Sequence, residues 1–255
     1  LASLNVLFPE LPIIRADFSV ITGIAQLTLS LSMLSIAIAT LVYGPVSDRY
    51  GRKPTLIAGI GITIFGSVFC LLAPTVELLI LGRISQAFGG AVGLVVARAI
   101  VRDVYGPEES ARIISTLVMV MVVIPMLSPA LGGELMVIFG WRSVFVVIAA
   151  FSAFLLAVIY RKLPETLSEP APFTGVYGMV KTFRMLLASA IFRGYALSVA
   201  FVSVVFFSFI SAAPEIMVSV LNRPATEYGY YFIMIPAGFM TGNYLSRRFG
   251  SRIGI

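Results

Sequence analysis

The chain has 255 residues, 59% of them hydrophobic and 12% charged, a net charge of +6 and a mean hydropathy of +1.01. Soluble domains are roughly a quarter charged, so this composition fits lipid as the surrounding solvent. The chain has no His, a single Cys (Cys70) and no G-x-x-x-x-G-K-[ST] run, which excludes a structural zinc site, a Cys/His nucleophile pair, an intrachain disulfide and an ATP-binding P-loop.

The sequence begins at Leu1 inside an apolar run. It lacks the basic n-region and small-residue cleavage site of a signal peptide, and is read as a truncated first span over 1–12. A span takes about 20 apolar residues to cross the ~30 Å hydrocarbon core. Runs of that kind follow near 21–44, 55–73, 78–101, 112–139, 143–160, 191–213 and 228–246, so about eight spans are expected. Backbone polar groups in lipid must be satisfied within the segment, which makes these runs helices. The period-2 alternation of a barrel is absent. The fold class is therefore all-α integral membrane.

Between the second and third spans lies a dense polar turn, Gly44-Pro-Val-Ser-Asp48-Arg49-Tyr-Gly51-Arg52-Lys53-Pro54, flanked by uncharged residues 21–43 and 55–73. Fourteen of the eighteen Lys and Arg residues fall on the side of this turn; Arg15, Arg142 and Arg223 fall on the other and Arg83 lies within a span. The richer side is cytoplasmic. Gly44 and Gly51 allow close backbone approach at a sharp turn. Asp48, Arg49 and Arg52 are spaced for a charge-assisted network, with Asp103, at the inner end of the fourth span, as a third participant. The basic residues form no aromatic-interleaved face, which argues against nucleic acid.

In the fourth span, Leu79-Ile-Leu-Gly-Arg83-Ile-Ser-Gln86-Ala87-Phe-Gly89-Gly90 sets an arginine inside an apolar run. A guanidinium there costs at least ~2.5 kcal/mol, so it should face the bundle or a wet cavity. Gln86 and Arg98 each fall about 60° from Arg83 around a continuous helix, whereas Asp103 projects about 160° away. In the fifth span Pro125, Ser128, Pro129, Gly132 and Gly133 share one helix face, a combination of bends and small residues that suits close helix packing. Residues 162–190 form the longest polar stretch and read as a linker, with a short amphipathic helix over Met179–Leu187 suited to a membrane surface. Arg247-Arg248-Phe249-Gly250-Ser-Arg252 echoes Arg49-Tyr50-Gly51-Arg52 six spans earlier, as parallel transporter halves do.

Together these stretches resemble the major facilitator superfamily. The 44–54 turn is similar to its G-x-x-x-D-R-x-G-R-K/R loop, 83–89 to its R-x-x-Q-G-x-G pattern (with Ala87 at a usual Gly), and 128–133 to the G-P-x-x-G-G antiporter motif (with Ser128 at its first Gly). Ala97-Arg98-Ala-Ile-Val-Arg102-Asp103 and Phe192-Arg193-Gly194-Tyr195-Ala196 look like the bicyclomycin-resistance (Bcr/CflA) drug-efflux family. The resemblance implies a six-plus-six helix fold truncated at both ends: an N-terminal bundle over 1–161, a cytoplasmic linker over 162–190 and the start of a C-terminal bundle over 191–255. It implies a monomeric exporter in the bacterial inner membrane that exchanges phenicol- or bicyclomycin-like compounds for protons, without cofactor or metal. The 44–54 loop would latch the inner gate, and the 125–133 bend would seal the proton route.

The family's usual coupling Asp in the first span is replaced by Asn5, which cannot carry a proton. Glu10, Glu134 and Glu215 are candidate substitutes, each of them in a position where an interfacial carboxylate in water is at least equally expected, and spans missing from this sequence are a further source of the acid. Two other readings stay open: export of an endogenous metabolite with another coupling ion, and a transport-dead receptor or scaffold. An enzyme is disfavoured for want of a nucleophile–base or metal cluster.

Overall fold

The computed structural model describes residues 17–169 and 175–216, together with positions 221, 234, 238, 241 and 242. The chain divides into two compact units, Leu1–Pro172 and Phe173–Ile255. Among the described residues of the first, five helices follow one another: α1 Thr22–Tyr50, α2 Arg52–Leu71, α3 Val76–Gly90, α4 Val92–Phe139 and α5 Arg142–Lys162. In the second, α6 Gly175–Ala188 contains the short amphipathic helix expected at Met179–Leu187, and α7 is Ala190–Glu215. Across Ser189 the chain bends by 93°. The fold class is all-α, as expected, and among the described residues four helical segments are long and apolar enough to cross a membrane, or five if the bent pair counts as one span. The expected spans over 1–12 and 228–246 lie outside the described residues, apart from isolated positions in the latter.

The 44–54 turn is shorter than its sequence suggests. Helix α1 runs on through Gly44 and Pro45 to Tyr50, and α2 starts two residues later at Arg52. Gly51 alone makes the turn, at φ +101°, a conformation L side chains rarely adopt. The Gly44 expectation is thus corrected. Its backbone is helical, and a Cβ built there would meet nothing within 4 Å. Pro45 lacks an N–H, yet a single lost bond inside a long apolar helix is tolerated where neighbouring helices support it.

Helix α3 is capped by Thr75, whose hydroxyl oxygen accepts from Leu78 N at 3.5 Å, with Glu77 in the first turn facing the positive helix end. A turn at Ala91 separates α3 from α4, and the segment Val76–Gly106 forms one 31-residue apolar span. Gly106, at φ +70°, breaks α4, and Pro107 restarts it at a position where the missing N–H costs nothing.

Helices α2 and α3 run antiparallel at close range because glycines recur every two turns on both. Gly59 and Gly66 face Gly89 and Gly82. A Cβ on Gly66 would lie 2.4 Å from the backbone nitrogen of Gln86, and one on Gly89 would lie 2.4 Å from the Gly59 carbonyl oxygen. Small residues are what lets two helices pack closely in lipid, where hydrophobic contrast supplies no attraction. Two apolar clusters flank this contact. One joins Leu29, Cys70, Leu79, Trp141, Val144 and Phe145, and the other joins Ala39, Tyr43, Leu56, Ala91, Val92 and Val96. Phe65, Phe151 and Phe154 point outward and are mostly exposed, which suits a lipid surround.

Gly66→Ala is expected to lower the thermal midpoint in detergent by the equivalent of about 3 kcal/mol, the upper range for overpacking against a rigid neighbour. Gly61→Ala, where a Cβ would meet nothing within 4 Å, is expected to be neutral or stabilising by up to about 1 kcal/mol. Equal effects at the two positions would contradict the close contact.

Candidate functional site

Two polar assemblies stand out in the first unit, one at the α1–α2 joint and one inside the bundle. At the joint, the Gly51 turn sets the last turn of α1 beside the first residue of α2. Arg52 is 7% exposed. Its Nε donates to Asp103 Oδ2 at 2.9 Å, and its Nη1 donates to Ser47 Oγ at 2.8 Å and to Asp48 Oδ1. Ser47 in turn donates to the Gly44 carbonyl at 2.9 Å. Asp103 reaches the cluster from α4, three residues before the Gly106 break. Arg49 is exposed and has no ion pair or hydrogen bond among the described residues. Asp48, Gly51, Arg52 and Asp103 are therefore brought together, Gly44 touches the cluster only through its carbonyl oxygen, and Arg49 stays outside it.

An arginine at the positive end of a helix is electrostatically misplaced, and α2 receives no side-chain cap from its own first residues. Glu165, just beyond α5, supplies both missing parts. Its carboxylate accepts from the backbone nitrogens of Arg52 at 2.8 Å and Lys53 at 3.1 Å, and from those of Thr166 and Leu167 at 3.0 Å each. Thr166 Oγ1 donates to Asp103 Oδ2 at 3.4 Å. Partial burial pushes the Glu165 carboxyl up, but the four backbone N–H groups outweigh it and hold the group below its ordinary value of 4.5. A depressed folded-state value means the stabilisation is fully present above the ordinary carboxylate value. It is lost only as pH falls through the lower folded one.

The sequence reading missed Glu165 and Ser47. A usable signal was present: an Arg-Lys-Pro start to a helix has cations at its positive end and no local acid, so a remote carboxylate must cap it.

The second assembly is buried. Arg83 and Gln86 are each 1% exposed and Ser67 is fully buried. Arg83 Nη1 donates to Gln86 Oε1, Gln86 Nε2 donates to Ser67 Oγ at 2.7 Å, and Ser67 donates to the Thr63 carbonyl at 2.7 Å. Because the Ser67 hydrogen goes to Thr63, its oxygen accepts from the Gln86 amide, and that turns the amide oxygen towards Arg83. The glycine contact between α2 and α3 is what brings Ser67 within reach of Gln86. The guanidinium carbon lies 5.9 Å from the Phe145 ring centre, within range of a cation–π attraction. Arg83 thus faces the bundle interior and does not reach for the headgroups.

Arg98 does not join this pair. It is exposed and has no hydrogen bond or ion pair among the described residues. Arg98 lies fifteen residues beyond Arg83, about 22 Å along the helix at 1.5 Å per residue, so sharing part of a face does not bring the two side chains together. Asn5 and Glu10 lie outside the described residues. For Pro125, Ser128, Pro129, Gly132, Gly133 and Glu134 only the helical backbone is described, and the side chain of Glu215 is likewise outside the description.

At the opposite end of the bundle, Trp141 Nε1 donates to Asp17 Oδ2 at 3.1 Å, and Arg142 Nη1 lies 3.4 Å from the same oxygen. Arg142 stacks over the Trp141 ring at 4.2 Å. Both charges of this pair are nearly half exposed, which limits its energetic weight. Among the described residues no group of three or more His, Cys, Asp or Glu side chains could hold a metal ion.

A double-mutant cycle between Arg52→Ala and Asp103→Ala, read by thermal unfolding in detergent, is expected to give a coupling energy of about 1–3 kcal/mol. The cycle between Arg52→Ala and Asp48→Ala should give less, because the Asp48 side chain is 49% exposed against 23% for Asp103 and water screens it.

Comparison with known proteins gives one consistent result. The family model described as Major Facilitator Superfamily matches residues 1–255. The chain is 31% identical over 254 residues to the uncharacterized MFS-type transporter YdgK of Bacillus subtilis, covering 98% of this chain and 63% of that one. It is 31% identical over 240 residues to the multidrug resistance protein MdtL of Escherichia coli, covering 94% and 61%. It is 24% identical over 242 residues to a bicyclomycin resistance protein homolog of Haemophilus influenzae, covering 94% and 61%. Among solved structures, a bacterial homologue of the human lysosomal transporter Spinster, inward-facing and unoccupied, superimposes with a TM-score of 0.70 at 26% identity, covering 98% of this chain and 60% of that one. The chain thus spans about three fifths of the length of these relatives. With the helical fold, the charged α1–α2 joint and the buried Arg83 pair in place, the chain belongs to the major facilitator superfamily and is part of a multi-pass membrane protein.

Proposed function

We propose that the protein is a secondary active transporter that exports small amphipathic compounds in exchange for protons, by rocking of two halves about a midplane cavity. The observation that carries the reading is the Arg52 cluster, where one guanidinium is held by two carboxylates from different helices at one end of the bundle. Charge-assisted bonds of this kind form or break as a set, which suits a latch that is closed in one state of a transport cycle and open in the other. The excess of Lys and Arg on this side makes it the cytoplasmic side, in the inner membrane of a bacterium if this chain follows its bacterial relatives. Drug-like cargo is supported by the names of the E. coli and H. influenzae relatives.

Arg83 is the second support. A buried cation kept in one orientation by Gln86 and Phe145 can order an electron-rich group, or a nearby coupling acid, without reaching water. Because Asn5 cannot titrate, candidates for that acid are Glu10, Glu134, Glu215 and carboxylates in spans beyond this sequence. The carriage of small molecules and protons by a monomer completes the reading.

Inside-out vesicles holding the full-length protein should show a collapse of the pH gradient on addition of a phenicol or bicyclomycin, and a gradient indifferent to a broad compound panel would refute proton antiport. Arg83→Ala should abolish export while membrane insertion is retained. Arg83→Lys should not restore it, since an ammonium lacks the planar fork that engages Gln86 and the ring. Asp48→Asn should slow turnover by about tenfold, the effect of 1.4 kcal/mol, with ligand affinity changed much less; the opposite pattern would remove the latch assignment.

A further inference from the structure

The segment that follows α5 is bound to the Arg52 cluster from two sides, and neither contact is needed to end a helix. Leu163 leaves α5 in an extended conformation, with its backbone nitrogen bonded to the Ile159 carbonyl at 3.1 Å, and its side chain packs against the cluster of Tyr43, Leu56 and Val92. From that anchor Glu165 reaches the α2 N-terminus, 113 residues earlier in the chain, and Thr166 reaches Asp103.

Three features make this a built contact. The first turn of α2 offers few free donors, because Pro54 has none, and Glu165 takes two of the remaining ones. Asp103 Oδ2 is shared: it accepts from Arg52 Nε at 2.9 Å and from Thr166 Oγ1 at 3.4 Å. Gly51 leaves the space the carboxylate fills, since a Cβ there would lie 2.6 Å from Glu165 Oε2. The glycine is thus required twice, for its positive φ and for the seat of the acid.

We propose that Glu165 and Thr166 form a strap that ties the polar segment after α5 to the Arg52 latch, so that segment and latch tighten and loosen together. The inference rests on reading the Arg52 cluster as a latch and names Glu165 as a positioning residue for it. If Asp103 withdraws from Arg52, it also leaves Thr166. If the first turn of α2 moves, it drags or drops the Glu165 carboxylate. The strap lies within the first unit, only a few residues before the second begins at Phe173. Because the backbone N–H groups hold the carboxyl below its ordinary value, the strap follows the latch and does not respond to protons near neutral pH.

Coupling between two elements is reciprocal, and this sets the test. A nitroxide is placed on Ser168→Cys in the full-length protein in nanodiscs, and separately on Tyr50→Cys at the exposed end of α1; Cys70 is fully buried, and the unmutated protein serves as the labelling control. Glu165→Ala, Glu165→Gln and Asp103→Ala are each expected to raise the mobile-to-immobile ratio at Ser168 by about fivefold or more, the low end of ordinary coupling between linked sites. Glu165→Ala should also raise mobility at Tyr50, although every side chain of the latch is unchanged. The proposal is overturned if Asp103→Ala leaves Ser168 as immobile as the parent, or if both Glu165 variants leave Tyr50 unchanged. Glu165→Gln keeps the length of the side chain and decides the matter where the alanine variant does not fold. No transported compound enters the measurement, so a protein that exports nothing but shows the coupling would sink the export reading and leave the strap in place.

Discussion

A guanidinium at the wrong end of a helix organises one face of this protein. The N-terminus of α2 is a region of positive potential with unpaired N–H groups, and the chain puts Arg52 and Lys53 there. Left alone, that start would be strained electrostatically and short of acceptors. Asp48 from α1, Asp103 from α4 and Glu165 from the segment after α5 each bring a carboxylate to it. Three separate parts of the first unit thus meet at one residue, and the single-residue turn at Gly51 makes the meeting possible.

The interior follows a different rule. Lipid gives helices little reason to associate, so α2 and α3 are joined by contact at van der Waals range along their glycines. That contact fixes the distance from Ser67 to Gln86, and through Gln86 the orientation of Arg83. A buried cation is costly unless its surroundings are arranged in advance. Here the arrangement depends on the absence of side-chain atoms at Gly66 and Gly82 as much as on the polar groups themselves. The two assemblies differ in kind: the Arg52 cluster joins opposite charges with a part-exposed Asp48 at its edge, while the Arg83–Gln86 pair is fully buried.

Much of this was legible in the sequence. The apolar runs predicted the helices, and the grouping of Asp48, Arg49 and Arg52 in one polar turn suggested a charge network, of which Asp48 and Arg52 form a pair. Asp103 was identified by its place at the inner end of its span. The sequence placed Arg98 about 60° around the helix from Arg83, but the two lie roughly four turns apart along it, and a shared face alone brings no contact. It also drew an eleven-residue loop where α1 in fact continues through Gly44 and Pro45, because glycine and proline were weighed as breakers and the support of neighbouring helices was not. Glu165 went unnoticed since it lies 113 residues from its partner in a stretch read as linker.

By itself, then, the sequence determined the solvent, the helical class, the family and the chemical types at both assemblies, because hydropathy, charge bias and local spacing are properties of neighbouring residues. Only the tertiary structure decided which cation is held and which is free, which glycine turns and which merely continues a helix, and which acid caps α2. Those outcomes depend on residues about fifty to more than a hundred positions apart meeting at hydrogen-bond distance, and no local pattern specifies that.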